Sequence, residues 1–368
     1  MSQEHESRRE FVKRAALVGA GAPFLSSHLA DLAMGFQGKP LGVALVGLGS
    51  LSTNQIAPAL QKTKNCRLAG IVTGTPAKAA KWKAAYNIPD KSIYDYKTMS
   101  RMADNPDIDI VYVVTPNALH ADHSIAAARA GKHVLCEKPM EISVQRCNEM
   151  IAASKKAGKQ LAIGYRCQFE PHHLEAMRLV KAKQFGDLRL IDAAFGFSIG
   201  DPTQWRLNKT LSGGGPLMDV GIYALQSARM LTGEEPVKVS AIATKTDPVK
   251  FKTVEETMTF ELTFPSGVLA HCATTYKING LNRFTAIGDR GALGMEPAYN
   301  YNGNRGWRSD GQPLKFDEID VFAAEMDDFA RCIRSNVRSK VSGEEGLRDV
   351  RLLMAIYEAA RTGRAVSV

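Results

Sequence analysis

Short apolar segments alternate with amphipathic ones between residues 42 and 167, and this alternation constrains the fold more than any other feature of the chain. The segments between the apolar runs, 76–86, 119–130 and 143–157, have the spacing of amphipathic helices. Repetition of strand, helix and strand with short connections predicts a parallel doubly wound sheet, a Rossmann-type domain. Five runs rich in Val, Ile and Leu predict its buried strands: GVALVGLG, RLAGIVTG, DIVYVVTP, KHVLCEKP and QLAIGYR.

The pattern changes after about Glu170, where strand candidates begin to alternate apolar and polar residues. A helix over 214–232 interrupts them, and two more helices at about 320–335 and 343–361 close the chain. This pattern predicts an α+β domain with a large open, mostly antiparallel sheet, of which one face is available to a partner subunit. The strand candidates are LRLIDAAFGFS, VKVSAIATKT, TMTFELTF, GVLAHCATTY and RFTAIGDRG.

The N-terminus looks like a twin-arginine export signal. Arg8 and Arg9 stand in the segment SRREFVK, and a mildly apolar run from Ala15 to Leu25 follows. That run is too short and too rich in glycine to anchor the chain in a membrane. We therefore predict a periplasmic protein, with a basic, disordered N-terminus as the alternative and the cleavage site left open. The expected division is signal and linker at 1–38, Rossmann domain at 39–167 and α+β domain at 168–368.

Composition excludes several classes of protein. The chain has 368 residues and a formal net charge of +9, but its basic residues form no run of the kind that binds nucleic acid. Its six cysteines show no C-x-x-C pair or zinc-like spacing, so buried free thiols are expected. The close histidine pairs, His120 with His123 and His172 with His173, are too few for a metal cluster, and we predict no metal.

A glycine-rich turn, Gly47-Leu48-Gly49-Ser50-Leu51-Ser52, directly follows the first predicted strand and opens a helical segment. It is a G-x-G-x-x-S variant of the dinucleotide-binding fingerprint, in which glycines let the backbone approach a pyrophosphate. The N-terminus of the following helix would face the phosphate charge. The motif alone leaves open a glycine-rich turn in an α/β protein that binds no cofactor.

The end of the second strand indicates which dinucleotide would bind. An NAD-binding protein usually has Asp or Glu here for the ribose hydroxyls, whereas this chain has Thr73-Gly74-Thr75, followed by Lys78 and Lys81. Hydroxyl and ammonium groups suit a ribose phosphate. The sequence therefore predicts NADP.

A lysine, Lys138 of the segment AGKHVLCEKPM, follows a predicted parallel strand at the edge where such sheets bind ligands. On other surfaces it would be a solvated charge, but here other polar strand ends accompany it, namely TPNALH and GYR. Asp219 and Tyr223 are four residues apart, so on a helix both point to one side. A hydrogen-bonded pair on the helix surface is the alternative for these two residues.

These motifs together resemble the Gfo/Idh/MocA oxidoreductases, and within that family the periplasmic glucose–fructose oxidoreductases. The resemblance runs from about Gly42 to the C-terminus, and its further motifs are IGYRC, DPTQWRL, GGGPLMDVGIY and GEEGLRDVRLLMAIYEAARTGR. It implies a Rossmann domain followed by an α+β domain whose open sheet forms a homodimer. It also implies NADP and small sugars as ligands.

The resemblance assigns roles to individual residues. It implies that Lys138, Asp219 and Tyr223 form the catalytic group beside the nicotinamide, and that Tyr165 and Arg166 join them in contacting the sugar. The cofactor contacts expected from the motifs and the resemblance together are Gly47, Leu48, Gly49, Ser50, Leu51, Thr73, Gly74, Lys78, Tyr86, Pro116, Asn117, His120, Glu137, Lys138, Arg166, Trp205, Arg206 and Tyr301.

The activity implied is oxidation of an aldose, such as glucose, to its aldonolactone, and reduction of a second sugar, fructose or another aldose. In this mechanism Tyr223 accepts the hydroxyl proton, the charge of Lys138 favours its phenolate form, and Asp219 orients the sugar. The residues themselves leave open which of the three carries the proton.

Two departures from the glucose–fructose oxidoreductases leave an alternative open. Only residues 35–41 lie between the signal and the first strand, where those enzymes carry a long Pro-rich arm over the neighbouring cofactor. Ser50-Leu51 stands where they have Lys-Tyr. The alternative is an ordinary NADP-dependent sugar or polyol dehydrogenase with exchangeable cofactor, similar to 1,5-anhydrofructose reductase. A redox-silent sugar binder is disfavoured by the complete catalytic group.

Overall fold

The computed structural model describes residues 38–368. The twin-arginine segment and nearly all of the linker lie outside the described residues and stay predictions. Residues 40–368 form one unit with two sheets, one of six strands and one of eight. None of the helices in the described part is both long and apolar enough to cross a membrane.

The first sheet confirms the predicted Rossmann fold. Its strands are all parallel, in the order β3-β2-β1-β4-β5-β6. The order reverses between β1 and β4, and ligands of such sheets bind beyond the carboxyl ends of the strands at that point. β3 has only two residues and was not predicted. The strands are β1 (Leu41–Val46), β2 (Cys66–Val72), β3 (Ile93–Tyr94), β4 (Ile110–Val113), β5 (His133–Glu137) and β6 (Leu161–Gly164).

Helices connect these strands close to the predicted positions. A wide π-helical turn, Ser52–Ile56, leads into the short first helix. The Ser143 hydroxyl caps the fourth helix by accepting from the Arg146 backbone N–H. The helices are α1 (Ala57–Leu60), α2 (Pro76–Tyr86), α3 (His120–Arg129) and α4 (Val144–Lys156).

The second sheet is mostly antiparallel, as predicted, with order β13-β12-β11-β7-β10-β9-β8-β14. Only β7 and β10 pair in parallel among its described strands. The short strands β12, β13 and β14 were not predicted. The strands are β7 (Leu188–Gly196), β8 (Lys238–Thr244), β9 (Thr257–Thr263), β10 (Leu269–Thr275), β11 (Asn282–Gly288), β12 (Gly291–Met295), β13 (Gly306–Arg308) and β14 (Val366–Ser367).

One face of the second sheet is covered and the other is open. The helix α7 (Ile222–Thr232) packs on the covered face, following a π-helical turn, Leu217–Gly221. On the open face, Leu190 is in register with Leu269 and Ile287 on the two neighbouring strands. Alternation along the strands brings Ile242 and Trp307 to the same face. All five side chains are exposed to solvent in the single chain, the most exposed being Ile242 at 69%.

The last two long helices join the two sheets. The remaining helices are α5 (Pro171–Lys181), α6 (Lys209–Ser212), α8 (Val321–Arg334) and α9 (Gly343–Thr362). α8 packs on the Rossmann sheet, where the Cys66 thiol on β2 donates to the Met326 carbonyl. α9 lies against α4 on one side and β8 on the other. α8 therefore follows the boundary predicted at residue 168 in the sequence but packs on the first sheet.

Candidate active site

The glycine-rich turn after β1 forms a cradle of the shape that a pyrophosphate needs. Gly47 has a φ of 91°, and a Cβ there would lie 2.8 Å from the Val114 carbonyl oxygen, so glycine is required. The Ser52 hydroxyl donates to the Gly47 carbonyl over 2.5 Å and holds the turn. A Cβ at Gly49 would meet no heavy atom within 4 Å, which leaves that backbone open to a ligand. Leu48 lies between the glycines, and Ser50 and Leu51 follow.

A lysine of the helix that follows the second strand places a positive charge next to this turn. Thr73 and Gly74 directly follow β2, and the Thr73 hydroxyl accepts from the Thr75 backbone N–H at 3.3 Å. Lys78, in the first turns of α2, donates from Nζ to the Leu48 carbonyl at 3.3 Å. The ammonium group therefore lies directly against the glycine-rich turn. These residues fit a dinucleotide with a phosphorylated ribose.

Tyr96 is a candidate cofactor contact that sequence reasoning missed. Its ring stacks on His123, with centroids 4.9 Å apart and an angle of 23° between the planes. A Cβ at Gly74 would lie 3.3 Å from the Tyr96 ring, so this aromatic pair adjoins the end of β2. The signal was weak because the strand before Tyr96, β3, has only two residues.

Tyr86, a predicted cofactor contact, does not lie in this groove. It ends α2, whose eleven residues rise about 16 Å along the axis, and that helix begins beside the groove. Its ring packs on Trp82 with centroids 5.1 Å apart. The helix direction therefore carries Tyr86 away from the cradle.

The three residues expected to form the catalytic group converge at the carboxyl edge of the first sheet. Lys138 Nζ donates to the Asp219 carbonyl over 2.7 Å and lies 3.5 Å from Asp219 Oδ1. It also lies 4.9 Å from the centroid of the Tyr223 ring. Lys138 follows β5, Asp219 belongs to the π-helical turn, and Tyr223 stands in the first turn of α7. The site is therefore assembled from both domains.

Two further side chains hold the Asp219 carboxylate. Arg206 Nε and the Tyr276 hydroxyl each donate to Asp219 Oδ2 over 2.9 Å. Burial raises the pKa of Asp219, but the charges of Arg206 and Lys138 and the Tyr276 hydrogen bond outweigh it and lower the pKa to about 2. Asp219 is therefore ionised at neutral pH and is a weak proton acceptor. Tyr276 was not predicted, because the sequence does not give the position of β10 relative to the turn that carries Asp219.

Tyr223 is a protonated phenol between cations. Burial raises its pKa above the usual range, and Arg166 is the charge that opposes this most strongly. The Arg166 guanidinium lies 5.0 Å from the Tyr223 ring centroid and 4.7 Å from that of Tyr301. It is held by the carbonyls of Asn300, at 3.0 Å, and Tyr299, at 2.5 Å. Burial therefore dominates the pKa of Tyr223, and Arg166 is the leading cation that opposes it, with Lys138 also close to the ring.

Several predicted contacts serve to hold the loops around Lys138. The ring nitrogens of His120 lie 2.9 Å from the Pro139 carbonyl and 2.8 Å from the Thr115 carbonyl. Burial lowers the pKa of His120 to about 4, and no ring nitrogen is left for a ligand. Asn117 follows Pro116 and donates from its side chain to the Ser212 carbonyl at 2.8 Å. The His120 and Asn117 side chains therefore hold the loops around Lys138 in position.

Tyr165 and Trp205, two other predicted contacts, differ in how far they are buried. Tyr165 is 4% exposed, and burial and the Asp349 carboxylate raise its pKa, so its hydroxyl lies among buried groups instead of facing a sugar. Trp205 is partly exposed, and its ring lies 4.7 Å from the Arg206 guanidinium at the rim of the site. A cavity of about 240 Å³ lies between Asn54 and Tyr301, beside the π-helical turn that follows the glycine-rich turn.

The histidines form no metal site in residues 38–368, where no group of three or more His, Cys, Asp or Glu side chains could hold an ion. His172 and His173 instead both lie 2.7 Å from the Glu170 carboxylate through Nδ1. All six cysteines are free and buried.

The family is established by comparison with known proteins. A family profile described as an oxidoreductase family with NAD-binding Rossmann fold matches residues 41–165, and the GFO/IDH/MocA C-terminal domain matches residues 173–294. The chain is 30% identical over 336 residues to D-xylose 1-dehydrogenase [NADP(+)] of Haloarcula marismortui, covering 89% of this chain and 93% of that protein.

The chain belongs to the Gfo/Idh/MocA oxidoreductase family. It is also 26% identical over 340 residues to 1,5-anhydro-D-fructose reductase of Ensifer adhaerens, with coverage of 88% and 97%. Among solved structures it is similar to aldose-aldose oxidoreductase from Caulobacter crescentus complexed with glycerol. That similarity has 44% identity and a TM-score of 0.85 over 90% of this chain and 100% of that one.

We expect Tyr276→Phe to weaken catalysis through Asp219. Loss of one of the two hydrogen bonds to Asp219 Oδ2 should leave the carboxylate ionised but less firmly held beside Lys138, and should lower kcat/KM about tenfold at neutral pH. Tyr86→Phe, outside the groove, is the control. An unchanged kcat/KM in Tyr276→Phe would contradict the role given to Asp219.

Proposed function

We propose that this protein is an NADP-dependent sugar oxidoreductase that oxidises an aldose to its aldonolactone and reduces a second sugar to an alditol. The observation that carries the proposal is the convergence of Lys138, Asp219 and Tyr223 beside a dinucleotide cradle. The 44% identity to an aldose-aldose oxidoreductase supports sugars as both substrates.

The cofactor would be held by the cradle of Gly47 and Gly49, with Lys78 and Thr73 beside the ribose phosphate. Two relatives are named as NADP-dependent xylose dehydrogenases, which supports this choice. NADP bound there would accept a hydride from the first sugar and supply it to the second.

The proton moves through Tyr223 in this proposal. Asp219 is the least basic of the three candidates, and its ionised carboxylate orients Lys138 and hydrogen-bonds sugar hydroxyls. Burial raises the pKa of Tyr223 above the usual range, so at neutral pH the phenol carries its proton and can act directly as the acid when the second sugar is reduced. For oxidation the phenol must first lose its proton, and Arg166 and Lys138 then stabilise the phenolate. The oxidation half should therefore become faster as pH rises.

The proposal that the cofactor stays bound predicts ping-pong kinetics. One aldose alone should reduce bound NADP in a single stoichiometric burst, and turnover should begin only when a second sugar is added, with parallel double-reciprocal plots. The burst should become faster with increasing pH, and Tyr223→Phe should abolish it, while Tyr86→Phe should retain it. If free NADP sustains steady lactone formation without a second sugar, the enzyme is an ordinary dehydrogenase, in line with the names of two relatives, both D-xylose 1-dehydrogenases.

Lys78 should determine the choice between NADP and NAD. Lys78→Ala should weaken NADP binding by about 1–3 kcal/mol, the range for a hydrogen bond to a charged group, and leave NAD binding nearly unchanged. Lys81→Ala, on the same helix, is the matched control with a smaller effect. Titration calorimetry on apo-protein measures both, and an equal loss for both nucleotides in Lys78→Ala would contradict the assignment.

We further propose a homodimer through the open face of the second sheet. Leu190, Ile242, Leu269, Ile287 and Trp307 lie on this face among polar side chains, and all five are exposed in the single chain, as expected of a surface that a partner covers. Leu269→Lys should therefore convert the dimer to monomer in sedimentation velocity runs. Val249→Lys, at a side chain that is 87% exposed, should remain dimeric. A monomeric wild-type protein would refute the proposal.

Periplasmic export by the twin-arginine route is the remaining part of the proposal. The supporting observation is the Arg8-Arg9 pair ahead of the short apolar run. Replacing both arginines by lysine should leave folded, active enzyme in the cytoplasm after fractionation. Periplasmic activity equal to that of the wild type would show that the pair is not an export signal.

A further inference from the structure

Three buried side chains form a chain of contacts behind Lys138. Tyr112 of β4 places its hydroxyl 2.8 Å from Glu137 Oε1 and 3.2 Å from Glu325 Oε1 of α8. Glu137 Oε2 accepts from the Lys138 backbone N–H at 3.3 Å. Tyr112 and Glu325 are fully buried and Glu137 is 7% exposed. The contacts therefore run without a break from α8 to the backbone of the lysine in the active site.

The geometry of these three side chains determines how many protons Tyr112, Glu137 and Glu325 share. A phenol has one hydrogen and can donate to only one of the two carboxyl groups. If both groups were ionised, two buried negative charges would flank one hydroxyl, which is strongly unfavourable. One carboxyl group must therefore carry a proton.

The surroundings indicate which group is protonated. Burial raises the pKa of both carboxyl groups, and that of Glu325 lies well above its usual range. At Glu137 the charges of Lys138 and Arg166 oppose this effect, and Glu137 accepts from two donors, Tyr112 and the Lys138 backbone. Glu325 Oε2 has no hydrogen-bond partner among the described residues. An ionised carboxylate in that position would lack compensation, so the proton belongs on Glu325.

A glycine of the neighbouring strand β6 leaves space for the contact between Tyr112 and Glu137. A Cβ at Gly164, the last residue of β6, would lie 2.9 Å from Glu137 Oε1 and 3.4 Å from the Tyr112 hydroxyl oxygen. Glycine at this position leaves room for the carboxyl group and the phenol to meet. The titratable groups that face Glu325, besides Tyr112 and Glu137, are Arg166, Cys167 and Lys340.

We propose that Glu325 is a neutral carboxylic acid that donates to Tyr112, so that Tyr112 donates to Glu137 and keeps this carboxylate ionised behind Lys138. Glu325 and Tyr112 are then positioning residues, which act on catalysis through Glu137 and the lysine that follows it. The catalytic consequence rests on the proposed function, whereas the protonation of Glu325 does not.

Infrared spectroscopy tests the protonation without any substrate. Wild-type protein at neutral pH should show the carbonyl stretch of a protonated carboxylic acid, sensitive to deuterium, in the difference spectrum against Glu325→Gln. Glu358→Gln, at an exposed position, is the control and should leave the band in place. A band that survives in Glu325→Gln but disappears in Glu137→Gln, or no difference band at all, would overturn the proposal. Circular dichroism verifies that each variant is folded.

A pH profile tests the positioning role. Tyr112→Phe removes one donor from Glu137, whose pKa should rise, so the acid limb of the burst rate should move upward by about one pH unit. Glu325→Gln retains an N–H donor for Tyr112, so its acid limb should stay at the wild-type position. An acid limb that moves equally in the two variants, or that does not move in Tyr112→Phe, would contradict this role. A lower thermal stability of both variants would not change that conclusion.

Discussion

The contact between Lys138 and Asp219 is the interaction on which the site depends, because it joins residues of two domains in one buried place. The ammonium group comes from the parallel sheet and the carboxylate from a turn that precedes a helix of the second domain. Each charge compensates the other, with 12% of the Lys138 side chain and 15% of the Asp219 side chain exposed. Removing one partner would leave the other in an environment that disfavours its charge.

Because this contact joins the two domains, each domain supplies a different part of the site. The Rossmann sheet supplies the dinucleotide cradle, Lys138 and Arg166, since all follow the carboxyl ends of its strands. The second domain supplies Asp219, Tyr223 and Tyr276, which surround the place where a sugar would bind. α8 belongs to the second half of the chain but packs on the first sheet, and it extends support to Lys138 through Glu325.

The fold and the centre of the site could be predicted from the sequence, because strand ends and helix spacing are local properties. Lys138 follows its strand directly, and Asp219 and Tyr223 share one short segment. Tyr276 could not be found, since its contact with Asp219 depends on how a strand of the second sheet is placed. The positions of Tyr86, at the far end of a helix, and of Tyr165, among buried groups, could not be predicted, because a motif gives neither the distance covered by a helix nor the direction of a side chain.

The most direct test is to denature the purified protein and identify the nucleotide released, before and after incubation with an aldose. The account predicts stoichiometric NADP from untreated protein and NADPH after the aldose. In Lys138→Met, the released nucleotide should still be oxidised NADP after the same incubation, because the cradle is intact but the charge next to Asp219 and Tyr223 is gone. Release of NAD, or of no nucleotide, from the wild-type protein would contradict this mechanism. So would wild-type NADP that stays oxidised after incubation with each aldose of a panel.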